Sequence, residues 1–144
     1  MNKRLSLLVP LLLVLSACVV LLPGERYQVV GQARMQFQGQ TLDKAFARVR
    51  LLMDRHEYRI RGVPLEKLDR AGALVEFNGP KDSHSIAILR LEADCISLEA
   101  LLAENSNDFR APRALFDDVV RQLDADANWQ VRVDEICPKP RPAS

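Results

Sequence analysis

From Tyr27 the chain alternates. Val29, Gly31, Ala33, Met35 and Phe37 fall on one side of an extended segment, and Gln28, Gln32, Arg34, Gln36 and Gln38 fall on the other. A period of two predicts a strand with one buried face. Gly39-Gln40 turns the chain, and Thr41 stands where a helix N-cap belongs. Leu42, Ala45, Phe46, Val49, Leu52 and Met53 then share one helical stripe, with Asp43, Lys44, Arg48, Arg50 and Asp54 elsewhere. Tyr58-Arg-Ile-Arg61 reads as a short strand ended by Gly62.

The middle of the chain predicts a hairpin. Ala73 to Phe77 and Ile86 to Leu91 are strand-like, and Asn78-Gly79-Pro80-Lys81-Asp82-Ser83 joins them. Val63 to Arg70 shows no clear period, and Asp94 to Asn105 suits an edge strand or a short helix. Pro112 fits a first helical position, followed by a second apolar stripe of Leu115, Phe116, Val119, Val120 and Leu123. Trp129, Val131 and Val133 alternate with Gln130, Arg132 and Asp134 in a last strand. These elements predict an α+β domain over residues 27–137, an antiparallel sheet with both helices on one face. Phe46-x-x-Val49-x-x-x-Met53-Asp54 and Phe116-x-x-Val119-x-x-x-Leu123-Asp124 each lead into a strand. The repetition suggests a β-α-β-β-α-β plan, ferredoxin-like in order. Residues 138–144 are Pro-rich and expected to be disordered.

Ahead of the domain lies a different pattern. Met1-Asn-Lys-Arg4 is basic, Leu5 to Leu15 is apolar apart from Ser6 and Pro10, and Leu15-Ser16-Ala17-Cys18 follows. That succession has the order of an export signal. Its last four residues resemble the lipobox of bacterial lipoproteins. The resemblance implies cleavage before Cys18, a diacylglyceryl group on its sulfur, a signal peptide over residues 1–17, and a membrane partner held through the lipid. An Asp at the second mature position of such lipoproteins resembles an inner-membrane retention signal. Val19 stands there instead, which implies the outer membrane facing the periplasm. The alternative is an uncleaved anchor, because the apolar run continues to Leu22, and 18 residues reach the short end of a membrane span. Either reading places the domain outside the cytoplasm. Residues 18–26 then form a tether, and Val19 to Arg26 extends at most about 28 Å.

Charge excludes little but sharpens the picture. The whole chain carries a formal charge of +1; without Lys3 and Arg4 it has 18 basic against 19 acidic residues. That balance predicts no nucleic-acid binding. With Cys18 acylated, Cys95 and Cys137 remain, and two thiols in an oxidising compartment predict a disulfide. His56 and His84 are too few for a metal centre with them. His56 suits a helix C-terminus; His84 adjoins the hairpin loop. No HExxH, GxSxG, P-loop or GxGxxG pattern occurs, so the chain is expected to be non-enzymatic and free of cofactors. Asp117-Asp118, adjacent on a helix, point different ways and are poor acid–base partners.

The remaining feature is arginine. With the apolar side of each strand turned to the helices, Arg34, Arg59, Arg61, Arg90 and Arg132 project to the other side. Guanidinium groups match phosphate and carboxylate geometry, which suggests docking to anionic lipid head groups, a glycan, or an acidic partner in an envelope protein complex. The structural alternative pairs them with Glu76, Glu92 and Asp134 across strands. The function expected from sequence is therefore a membrane-tethered accessory or binding module. A small envelope hydrolase, or a subunit of a trans-envelope complex, stands as the alternative.

Overall fold

The computed structural model describes residues 26–62 and 70–139. The lipobox with Cys18, the unassigned 63–69 segment and residues 140–144 of the tail lie outside the described residues.

The alternating segment is β1 (Tyr27–Phe37), and it is followed by α1 (Leu42–Arg55). Thr41 is the N-cap residue in extended conformation, but its hydroxyl bonds the Asp43 carboxylate and caps no backbone N–H. β2 (Arg59–Ile60) is only two residues long. It ends at Ile60, and the chain turns at Gly62, whose φ of +69° is natural for a residue without Cβ. β3 (Leu74–Asn78) and β4 (Ser85–Leu91) form the expected hairpin. In its loop a Cβ on Gly79 would overlap the side chain and carbonyl of Ser85, so only glycine fits. β5 (Cys95–Ala103), α2 (Arg110–Asp124) and β6 (Trp129–Val133) complete the domain. Pro112 is the third residue of α2, still within the first turn, where a missing N–H costs nothing.

All six strands join one antiparallel sheet in the order β2-β3-β4-β5-β1-β6. The class is α+β, as the two periodicities predict. The succession differs from β-α-β-β-α-β, because four strands lie between the helices. The segment read as an edge strand or short helix is β5, an interior strand between β4 and β1. It is buried at eight of nine positions, so it shows no polar face and gives no alternation.

One core forms between the sheet and the helices. Ala33, Met35 and Phe37 of β1 face it, flanked in register by Leu98 and Ile96 of β5 and by Val131 and Trp129 of β6. Phe46, Val49, Leu52 and Met53 of α1 and Leu115, Val119 and Leu123 of α2 fill the same cluster. Each such side chain contributes roughly 1.5–3 kcal/mol by leaving water. Phe116 seats on the glycine of β1: a Cβ on Gly31 would lie 2.7 Å from its ring. Phe37 and Trp129 meet at the end of the β1–β6 pair with ring centroids 5.4 Å apart.

Candidate functional site

The candidate site is the side of the sheet turned away from the helices. Because side chains alternate strictly along a strand, register alone fixes what this side carries. Arg132 stands opposite Arg34, Arg34 opposite Ser97, Ser97 opposite Arg90, and Arg90 opposite Leu74. One row thus crosses five strands from β6 to β3. The next row holds Gln32, Glu99, Ile88 and Glu76. Arg59 is opposite Asn78, and the Arg61 amide bonds the Glu76 carbonyl, so both extend this side at the far edge.

The five arginines share a side, yet they do not form a single cluster. β2 and β6 are five strand spacings apart, about 24 Å. Arg59 pairs with Asp54 at the end of α1, and Arg61 with Glu76 at 3.4 Å; both are largely exposed. Arg132 is exposed and makes no ion pair among the described residues. Exposed pairs of this kind contribute little to stability, which leaves these three guanidinium groups available.

Arg34 and Arg90 have a different environment. After β6 the chain turns at Asp134, whose φ is +65°, and crosses back over this side of the sheet as a strap. Cys137 is bonded to Cys95 with a Cα separation of 6.0 Å. The Cys137 N–H donates to Ser97 Oγ at 2.7 Å, and the Arg90 guanidinium donates to the Cys137 carbonyl. Arg34 pairs with Glu135 at 3.3 Å, and Arg90 Nε lies 3.5 Å from Glu92. Arg34 and Arg90 therefore hold the strap down. The residues sequence reasoning missed are Ser97 and Glu135. The signal that could have found them is the cysteine pair, since a Cys137 joined to β5 must bring its neighbours across β1. Beside the strap lies an open groove of about 410 Å³ lined by Leu74, Ile88, Arg90, Glu99, Ile136 and Lys139.

The polar groups on the helix side are structural. His56 caps α1 and its Nε2 lies 2.8 Å from Asp118 of α2, which also accepts from Arg121 at 2.7 Å. The hydrogen bond from His56, then that from Arg121, hold the Asp118 carboxyl down at about 2. The sequence showed only a neighbouring carboxylate pointing away from Asp117; its partner lies 62 positions earlier. Asp118 is more acidic folded than unfolded, so its contribution is fully present above about pH 5 and lost as the pH falls toward 2. Asp118→Asn is expected to cost about 1 kcal/mol at neutral pH, a difference nearly gone at pH 2. Urea melts at the two pH values check it.

Tyr58, Ser85 and Ser83 form a hydroxyl chain, 2.9 and 2.8 Å between oxygens, ending on the Pro80 carbonyl at 2.6 Å. Burial raises the Tyr58 phenol, partly offset by the Ser85 bond. His84 is exposed beside this chain with φ of +52°, and its carbonyl accepts the Ala103 amide. Among the described residues no group of three or more His, Cys, Asp or Glu is placed to hold a metal. Among them, too, no helix is long and apolar enough to cross a membrane. No protein-family model matches the chain, and no match was found to a curated protein or to a solved structure.

Proposed function

We propose that this chain is a lipid-anchored protein of the bacterial envelope that works by binding, its sheet docking on the anionic surface of the membrane that holds it. The observation that carries the reading is Leu15-Ser16-Ala17-Cys18 at the end of an apolar run, with eight residues between Cys18 and the first strand. A tether reaching at most about 28 Å keeps the domain at the anchoring leaflet, where weak contacts gain from high effective concentration. The disulfide agrees with an oxidising compartment. Arg59, Arg61 and Arg132 are the groups suited to meet phosphate, because Arg34 and Arg90 are committed to the strap.

The soluble domain from Tyr27 is expected to bind vesicles containing anionic phospholipid weakly, and less at higher salt. Replacing Arg59, Arg61 and Arg132 together by Gln is expected to remove most of that binding, since each basic group near such a surface is worth about 1 kcal/mol. The melting temperature should hold within about 2 °C, because the three side chains are exposed. Co-sedimentation with vesicles and a thermal melt decide it. A triple variant that binds as well as wild type overturns the docking assignment.

A further inference from the structure

The sheet ends at β6, and that edge is open. β6 is joined to β1 through its even-numbered positions. The Gln38 amide donates to the Asn128 carbonyl at 3.0 Å, and the Asp134 amide to the Gln32 carbonyl at 2.9 Å. Bonded and non-bonded pairs alternate along an antiparallel ladder, so Val131 and Val133 turn their N–H and C=O groups outward. Neither residue finds a partner for them among the described residues. The Trp129 amide, on the same edge, is already taken by the Asp126 carbonyl at 3.0 Å. Val133 is 48% exposed. Natural sheets blunt such an edge with lysine, proline or a bulge. Trp-Gln-Val-Arg-Val has none of them.

We propose that this edge pairs with the same edge of a second copy of the chain, antiparallel about Val131, so that two six-stranded sheets become one. The sequence of β6 selects both partner and register. Val131 then faces Val131, Trp129 faces Val133 of the other copy, and Gln130 faces Arg132. Every outward N–H of Val131 and Val133 meets a carbonyl. An axis moved to Arg132 would set the two guanidinium groups directly opposite, which is destabilising. An axis at Gln130 leaves Val133 beyond the end of the other β6, and one at Val133 runs into the turn at Asp134, with φ of +65°. The contact is isologous. Opposed residues point to one side of a sheet, so both strap sides face the same way. The two Arg132 side chains become diagonal neighbours, roughly 7–8 Å apart, with Arg34 beside each. Arginines dispersed in one chain are thereby gathered at the axis. That consequence rests on the membrane-docking reading, whereas the pairing rests on the edge alone. Hydrated edge groups gain little per bond exchanged, so the pair is weak in solution and favoured where anchors hold both copies on one surface.

A cysteine placed on the edge reads the register directly. Full-length Val131→Cys and Val133→Cys proteins are reconstituted in anionic phospholipid vesicles and oxidised mildly with copper phenanthroline. Across the axis the two positions 131 stand about 5.5 Å apart at Cα, within disulfide reach. The two positions 133 are displaced by about 13 Å along the strands, beyond the roughly 7 Å that a disulfide spans. A covalent dimer linked from 131 to 131 is the expected result, with near-complete loss of linkage for Val133→Cys. Equal linkage at both positions, or none at 131, overturns the proposal. So does an adduct of position 131 with a different envelope protein when whole cells are oxidised. Val131→Cys in a Cys18→Ser background should link as well once concentrated in detergent, which separates a failure of the anchor from a failure of the pairing.

Discussion

Replacing Cys95 and Cys137 together by Ala is expected to destabilise the domain by about 4 kcal/mol. The bond closes a loop spanning 42 positions of sequence, and the chain-entropy treatment gives that value for a loop of this size. For a domain of this length the melting temperature should fall on the order of 15 °C. The loss is expected to be local first. Without the bond, the strap keeps only the Ser97 and Arg90 contacts and the Arg34–Glu135 pair. With the strap free to lift off Ser97, hydrogen exchange at the backbone amide of position 137 should rise well before β5 opens. Both cysteines are nearly fully buried, so mild reductant without denaturant should leave wild type intact. A double variant melting within about 3 °C of wild type would show that the loop closure contributes little.

The largest effect of any single change is expected at Cys18. At about 0.8 kcal/mol per buried CH₂, the two chains of a diacylglyceryl group give stable membrane attachment. On the lipid-anchor proposal, Cys18→Ser removes the sulfur that carries them. The variant is expected to incorporate no labelled palmitate and to accumulate with its signal uncleaved, while wild type labels and fractionates with membrane. The uncleaved-anchor alternative makes the opposite forecast: Leu5 to Leu22 would hold both proteins equally, and neither would label.

What the sequence revealed followed the physics of half-burial. β1 and β6 have one wet side, so polar and apolar residues alternate, and that alternation put Arg34 and Arg132 on one side; Arg59 and Arg61 at the β2 edge and Arg90 in β4 join them through the pairing of those strands. The two helices were legible for the same reason. β5 was not, because Cys95-Ile-Ser-Leu-Glu-Ala-Leu-Leu-Ala has the helices over one side and the strap over Cys95 and Ser97 on the other. Periodicity vanishes when both sides are covered, and the expected plan was short of strands as a result. The strap itself has no period; only the cysteine pair hinted at it. Nor could local spacing show that Asp118 meets His56, or that Gln36 and Gln38 meet Gln130 and Asn128. Those contacts are long-range, and alternation says only which side a residue takes, not what crosses above it.

The central claim is that the domain is lipid-anchored through Cys18, and an intact mass of the protein purified from membranes tests it most directly. The account predicts a chain running from Cys18 to Ser144 that carries the added mass of a diacylglyceryl group. An unmodified chain from Met1 to Ser144 would contradict it.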